Sequence, residues 1–456
     1  MPPTNASVPR TEPHQPATGA DVMQRSAEIP RPRSVVHAVV AATGLIGYLG
    51  AAAILYANQP FGIDVAKGGM FLIGVAALAI FIVDLGWLKA HRRPSTGLDF
   101  AYDDPSWTRT GVKLLGLVVT LALIAFAYWA FPEYQDQLFE GYWQLLGVIV
   151  PPWLILAIPY FYFVDRKMPS PHDGYWHAGQ AILLNFREVD REALVQHALG
   201  WIIKAFFLAL MFGFLCNDVK WLYLLSLDRL ESFSQWYDFS YQLGYFIDVG
   251  IACVGYIMAF RITDTHIRSS EPTLFGWVIA LLCYPPFWNV VYGRYLRYET
   301  GYPWSAWLGG HPVLYAAWGT GILVLLAIYV WATVIFAARF SNLTHRGIIT
   351  NGPYRWIRHP AYLAKNLSWW MVSVPFMPRG TAGETVARCV MLLGVNLIYY
   401  LRAKTEERHL SRDPVYVQYA LWIEQHGLLR FMKRLPLLRQ LAYRPPAQWA
   451  APAISS

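Results

Sequence analysis

Residues 347–362 read GIITNGPYRWIRHPAY, and the rest of the chain is understood outward from them. Asn351-Gly352-Pro353 is a turn signal, because glycine admits positive φ while proline sets the next φ and removes a backbone donor. Arg355 and Arg358 follow one helical turn apart, and His359-Pro360 places an imidazole at a chain break. From Ala361 onward the chain is apolar for long enough to enter a bilayer. A rigid, cationic, histidine-bearing turn therefore sits where a membrane helix meets water. Beyond one more hairpin, residues 402–407 read RAKTEE.

Composition supports a membrane. Of 456 residues, 55% are hydrophobic and 14% charged, and mean hydropathy is +0.31. A soluble domain carries about 25% charge. Apolar residues come in runs of roughly twenty, the length that crosses the hydrocarbon core. The expected fold class is all-α, a polytopic integral membrane protein. The net charge of +8 is explained by its distribution between the two sides, so no nucleic-acid partner is expected. Cys216, Cys253, Cys283 and Cys389 lie scattered in apolar segments without CxxC or metal spacing, and read as buried free thiols.

Ten membrane segments are predicted: 35–57, 68–88, 112–131, 142–164, 198–216, 241–262, 274–292, 313–338, 361–378 and 386–401. The seventh contains Pro285-Pro286 and is expected to break there, and the ninth is short. Residues 1–34, with seven prolines, are expected to form a disordered tail and no signal peptide. An N-terminus inside places 28 of the 37 Lys and Arg in inner segments and seven in outer ones, which predicts N-in and C-in. The expected division is a tail over 1–34, an N-terminal transmembrane domain of unassigned role over 35–300, a catalytic domain over 301–445 and a tail over 446–456. After residue 402 a cytoplasmic helix is expected to about His426. The basic apolar stretch LLRFMKRLPLLRQL (428–441) should then lie on the inner membrane surface.

The two motif halves together resemble the integral-membrane methyltransferases of the isoprenylcysteine carboxyl methyltransferase and phospholipid methyltransferase type. That pattern runs GPY, RHPxYxG, a membrane hairpin and RxxxEE. Here it reads Gly352-Pro353-Tyr354, Arg358-His359-Pro360-Ala361-Tyr362, and Arg402 with Glu406-Glu407; Ala364 stands where the pattern has glycine. The likeness covers roughly 313–430. It implies methyl transfer from S-adenosylmethionine to a lipophilic or membrane-embedded acceptor, whether carboxylate, thiol or lipid head group. The cofactor would enter from the cytoplasm, in a bacterial inner membrane. It also implies that Gly352, Pro353, Tyr354, Arg358, His359, Tyr362, Glu406 and Glu407 bind the cofactor, with Arg402 and Glu406 catalytic.

The residue types suit that chemistry. The donor presents a sulfonium, an ammonium, a carboxylate, a ribose diol and a planar base, so its site wants carboxylates, backbone groups and aromatic faces. Glu406-Glu407, the 352–354 turn, Tyr354 and Tyr362 can supply these, and His359 can hydrogen-bond through either nitrogen. Arg402 and Glu406, at i and i+4, share a helix face. Arg402 is expected to be held by Glu406 while it anchors an anionic group of the substrate; the alternative is a surface ion pair. His359 is expected on the opposite wall. In-line displacement at a sulfonium needs positioning and desolvation more than a metal or redox group.

Charges inside membrane segments are costly and so informative. Lys365 either snorkels to the inner surface or meets an anionic substrate or the donor carboxylate. Asp84 and Lys204 are expected to pair, and Asp248 lies near mid-membrane with no evident partner. Two rival readings stay open. One is a nicotinamide-dependent sterol or steroid reductase, whose RD element Arg412-Asp413 echoes. The other is a transporter or scaffold using Asp84, Lys204 and Asp248 as an ion path.

Overall fold

The structure, a computed structural model, describes residues 29–434 and 442–449. Most of the expected N-terminal tail (1–28), part of the basic apolar stretch (435–441) and residues 450–456 lie outside the described residues.

Nearly all the regular structure of the described chain is helical. In order come α1 (Ala38–Asn58), α2 (Val65–Ile82, prolonged by a π-helical turn Val83–Trp87), α3 (Trp107–Ala130), α4 (Glu140–Arg166) and α5 (Gly174–Ile182). Next are α6 (Arg191–Leu224), α7 (Phe233–Ile257), α8 (Leu274–Leu281), α9 (Phe287–Arg294) and α10 (Trp304–Leu308). Last are α11 (Pro312–Val334), α12 (Pro360–Ser373), α13 (Ala382–Leu410) and α14 (Pro414–His426). Many of them begin on a side-chain cap that serves an otherwise orphaned N–H. Asp64, Ser106, Asp173, Asp190 and Asp413 do so, and Ser232 with Gln235 and Thr381 with Glu384 form full capping boxes.

Seven of these helical spans are long and apolar enough to cross a membrane: α1, α2 with its π turn, α3, α4, α6, α11 and α13. The other three predicted segments take different forms. The sixth is α7, long but carrying Asp238, Gln242 and Asp248. The seventh breaks into α8 and α9 around Pro285-Pro286, as proline requires. The ninth is α12, only 14 residues, about 21 Å of helix against a hydrocarbon core of about 30 Å. Ile46, Leu123, Trp129 and Ile155 stay more than 60% exposed on the long helices. Such surface suits lipid rather than water.

Small residues bring helices into contact. A Cβ on Gly250 of α7 would stand 2.3 Å from the Tyr48 ring of α1, so only glycine admits this crossing. Tyr48 then donates to Phe246 O at 2.8 Å, which satisfies a hydroxyl buried far from water. All four cysteines are free, but Cys283 and Cys389 are only partly buried.

The segments that the charge pattern assigns to one side do gather at one end of the bundle. Ser95 donates to Asp264, Asp99 N to Lys167 O, and Ser269 meets His409 at 2.9 Å. A short antiparallel pair, β1 (Ser269–Ser270) with β2 (Thr344–His345), ties the loop after α7 to the loop after α11. Residues 30–37 are not a loose tail. Val35 N donates to Ile348 O, Thr350 Oγ1 to Pro32 O at 2.8 Å, and Gln418 to Pro30 O. The N-terminal strap is thus sewn onto the motif-bearing loop.

Candidate active site

The floor of the site is the loop between α11 and α12, residues 335–359, and buried charge shapes it. Arg346 donates to the carbonyl oxygens of Gly255, Met258, Phe340 and Thr265, capping the end of α7. Burial, with Arg339 nearby adding to it, brings its guanidinium down to about 9. Asp264, fully buried, takes Arg339 at 2.8 Å, Arg268 at 3.4 Å, Arg93 at 3.8 Å and the Ser95 hydroxyl at 2.8 Å. Burial works to raise its carboxyl, but Arg339, Ser95 and Arg268 outweigh it and hold it below the usual carboxylate range. Burial brings Arg339 itself down to about 10 in spite of Asp264.

Above this floor lies a cavity of about 170 Å³. Its walls come from the C-terminal end of α11, the N-terminal end of α12 and the C-terminal half of α13, closed by Tyr284 after α8. Tyr354, Arg358, His359, Tyr362, Lys365, Arg402 and Glu406 all line it, so one cavity collects both halves of the sequence motif. Gly352, Pro353 and Glu407 do not line it. Gly352 has φ +55°, with Trp331 Nε1 and Ile335 about 3.1–3.3 Å from where a Cβ would be. A left-handed residue in that space must be glycine, and the turn it makes aims Tyr354 inward.

The two glutamates have different surroundings. Glu407 is buried and takes Lys404 at 2.7 Å, Arg358 Nε at 3.1 Å and His359 Nε2 at 3.3 Å. Arg358 also reaches Glu424 of α14 at 2.5 Å. Burial tends to lower the Arg358 guanidinium, but Glu407 and Glu424 hold it above its ordinary value. Glu406 keeps 41% of its side chain exposed and accepts the Tyr362 hydroxyl at 2.8 Å. His359 Nδ1 stands 3.9 Å away from it, and the His359 ring lies parallel to that of Tyr362 at 5.5 Å.

Two expectations are corrected by this geometry. Arg402 is not held by Glu406. Its Nη2 donates to Asn342 Oδ1 at 2.5 Å and Tyr284 OH at 3.3 Å, and its guanidinium lies 5.1–5.9 Å from the rings of Tyr362, Tyr284 and Tyr399. The i, i+4 spacing permits a pair, but the buried tyrosine box is a better place for a delocalised cation than a half-exposed carboxylate. His359, before α12, meets both glutamates of α13, with Nε2 3.3 Å from Glu407 and Nδ1 3.9 Å from Glu406. Asp84 and Lys204 do not pair. Lys204 Nζ sits 3.3 Å over the Trp201 ring, and the side of its helix, not its depth, decides this.

Several lining residues escaped sequence reading: Glu271, Tyr284, Tyr329, Asn342 and Tyr399. Polar atoms interrupting apolar runs were the one available signal. Glu271 and Tyr284 come before residue 300, so residues on both sides of that position line the cavity.

Residues 310–412 match the profile of the isoprenylcysteine carboxyl methyltransferase (ICMT) family. The resemblance read from the motif therefore holds for the C-terminal part of this membrane protein. No curated protein and no solved structure matches the chain. The matched stretch supplies both motif halves and most of the cavity wall, while Glu271 and Tyr284 lie outside it.

Proposed function

We propose that the protein transfers a methyl group from S-adenosylmethionine to a lipophilic, membrane-embedded acceptor. One observation carries the proposal: the family-matched stretch folds so that Tyr354, Arg358, His359, Tyr362, Arg402 and Glu406 face one cavity. The donor set fits the group. Glu406 is a carboxylate with free lone pairs at the mouth, suited to an ammonium or a diol. Tyr354 and Tyr362 offer ring faces to a sulfonium or a base. Once bound, the donor supplies an electrophilic methyl on sulfur. The chain's own residues then hold and orient. Arg402 and Lys365 would position a polar or anionic head of the acceptor, and the tyrosine-lined wall excludes water from the reacting atoms.

The donor would enter from the cytoplasm, since the basic segments gather at the end of the bundle where the cavity floor lies. Two measurements test this reading. Calorimetric titration of the purified protein should detect S-adenosylmethionine and its demethylated product; no heat from either removes the proposal. A single cysteine near residue 430 should be labelled only from the cytoplasmic side, and labelling from outside alone would reverse the entry side.

A further inference from the structure

We propose that Asp248 and Tyr329 form a proton-accepting pair at the cavity wall, and that the methyl acceptor is a weakly acidic apolar phenol or thiol. The inference rests on the methyl-transfer reading above and narrows its acceptor class.

Asp248 lies on α7, outside the family-matched stretch, and is 8% exposed. Its Oδ2 accepts the Tyr329 hydroxyl at 2.6 Å, while Oδ1 is buried with no hydrogen bond of ordinary geometry, although the Thr333 hydroxyl lies beside the carboxyl. Tyr329 lines the cavity from α11, with Thr333 one turn below it. The titratable groups facing Asp248 are Tyr245 on its own helix, Asp218 on α6, Tyr329 on α11 and Lys365 on α12. Among the described residues no ion pair includes Asp248 or Lys365. The Lys365 ammonium instead stands 5.2 Å over the Tyr329 ring and also lines the cavity. A buried carboxylate with a spare oxygen is a poor structural fastener, because each unpaired polar atom costs the fold. It is a good proton sink, because protonation removes a charge from a medium of low dielectric.

The step balances. A lone pair on the acceptor oxygen or sulfur forms the new bond to the methyl carbon. The methyl–sulfonium bond breaks, and its electron pair stays on the donor sulfur as a neutral thioether. The acceptor proton passes to the Tyr329 oxygen as the Tyr329 proton passes to Asp248 Oδ2. The positive sulfonium and the negative carboxylate disappear together. A carboxylate acceptor carries no such proton and would leave Asp248 as a buried anion.

The test uses the full-length protein in lipid nanodiscs with three probes: 4-dodecylphenol, dodecanethiol and dodecanoate. Donor binding is measured first; if wild type binds no donor, the earlier reading falls and this inference with it. With donor bound, methylation of the phenol or the thiol is expected, and the two arms say which. Tyr329→Phe and Asp248→Asn should each slow single-turnover methylation by roughly 10²-fold, the usual worth of a general base. That loss should shrink for a more acidic, ring-fluorinated phenol, which a purely structural role would not cause. In donor-free protein, 4-dodecylphenol should bind Tyr329→Phe about tenfold more weakly, the worth of one hydrogen bond. Methylation of dodecanoate alone, methylation of none of the probes, or equal losses for every acceptor overturns the proposal. Loss of donor affinity in both variants does so too, since it would make the pair a structural clamp.

Discussion

The cavity has two charged regions that differ in how fully their charges are used. In the floor, Asp264 meets three arginines and a hydroxyl, and Arg346 spends its guanidinium on backbone carbonyls. In the walls, Arg402 has two neutral oxygen partners, Lys365 has aromatic faces and faces Asp248 without an ion pair, and Glu406 has one tyrosine hydroxyl and a histidine at 3.9 Å. Burial costs a charge several kcal/mol unless partners surround it. The saturated charges therefore hold the loops together, and the unsaturated ones keep capacity for a ligand. Residue type alone would not separate them, because both regions combine buried cations with a carboxylate.

The largest expected effect breaks the floor. Asp264→Asn leaves Arg339, Arg268 and Arg93 clustered without their anion, a loss of about 3–5 kcal/mol. Thermal unfolding in detergent should show it as a large fall in midpoint, with donor affinity of the folded fraction unchanged. Because the Asp264 carboxyl is held below its ordinary range, its contribution is full above that range. It fades as pH falls through the lowered value, so wild type and variant should converge in acid. Equal stability of the two at neutral pH would show that the floor is not structural.

Next comes the pair of adjacent glutamates, which should fail differently. Glu406→Ala should weaken S-adenosylmethionine binding roughly ten- to hundredfold, about 1.5–3 kcal/mol, with little change in unfolding midpoint. Glu407→Ala should lower the midpoint first, because it strips the anion from Lys404, Arg358 and His359. Unchanged donor affinity in Glu406→Ala would return that side chain to the solvated surface.

Arg402→Lys sharpens the wall. Lysine keeps the charge but loses the planar fork between Asn342 and Tyr284 and the stacking on three tyrosines. Turnover should fall on the order of tenfold, the worth of one charge-assisted hydrogen bond, while donor binding persists. Loss of donor affinity with turnover of bound donor intact would move Arg402 into the donor pocket. The smallest effect belongs to Arg408, 52% exposed in its pair with Glu271. Arg408→Ala should cost no more than about 1 kcal/mol, and added salt should erase the difference.

Much of this was legible in the chain itself. Runs of apolar residues determine helices that cross a bilayer, because no other backbone arrangement satisfies its own hydrogen bonds there. Pro285-Pro286 determines a break, and Asn351-Gly352-Pro353 determines a turn, through local sterics alone. The motif brought Arg358, His359, Tyr362, Arg402 and Glu406 to notice, and all five line one cavity. Their partners were another matter. Spacing along one helix suggested Glu406 for Arg402, but Asn342 and Tyr284 reach it across 60 and 118 residues. Depth suggested Lys204 for Asp84, but the face of the helix decides contact, and Lys204 faces Trp201. Asp248 looked partnerless because its partner, Tyr329, is 81 residues away on another helix. Local sterics and hydropathy act over a few residues and can be read in order. Saturation of a buried charge depends on every element packed around it, so tertiary structure alone decided which charges were fasteners and which remained open to a ligand.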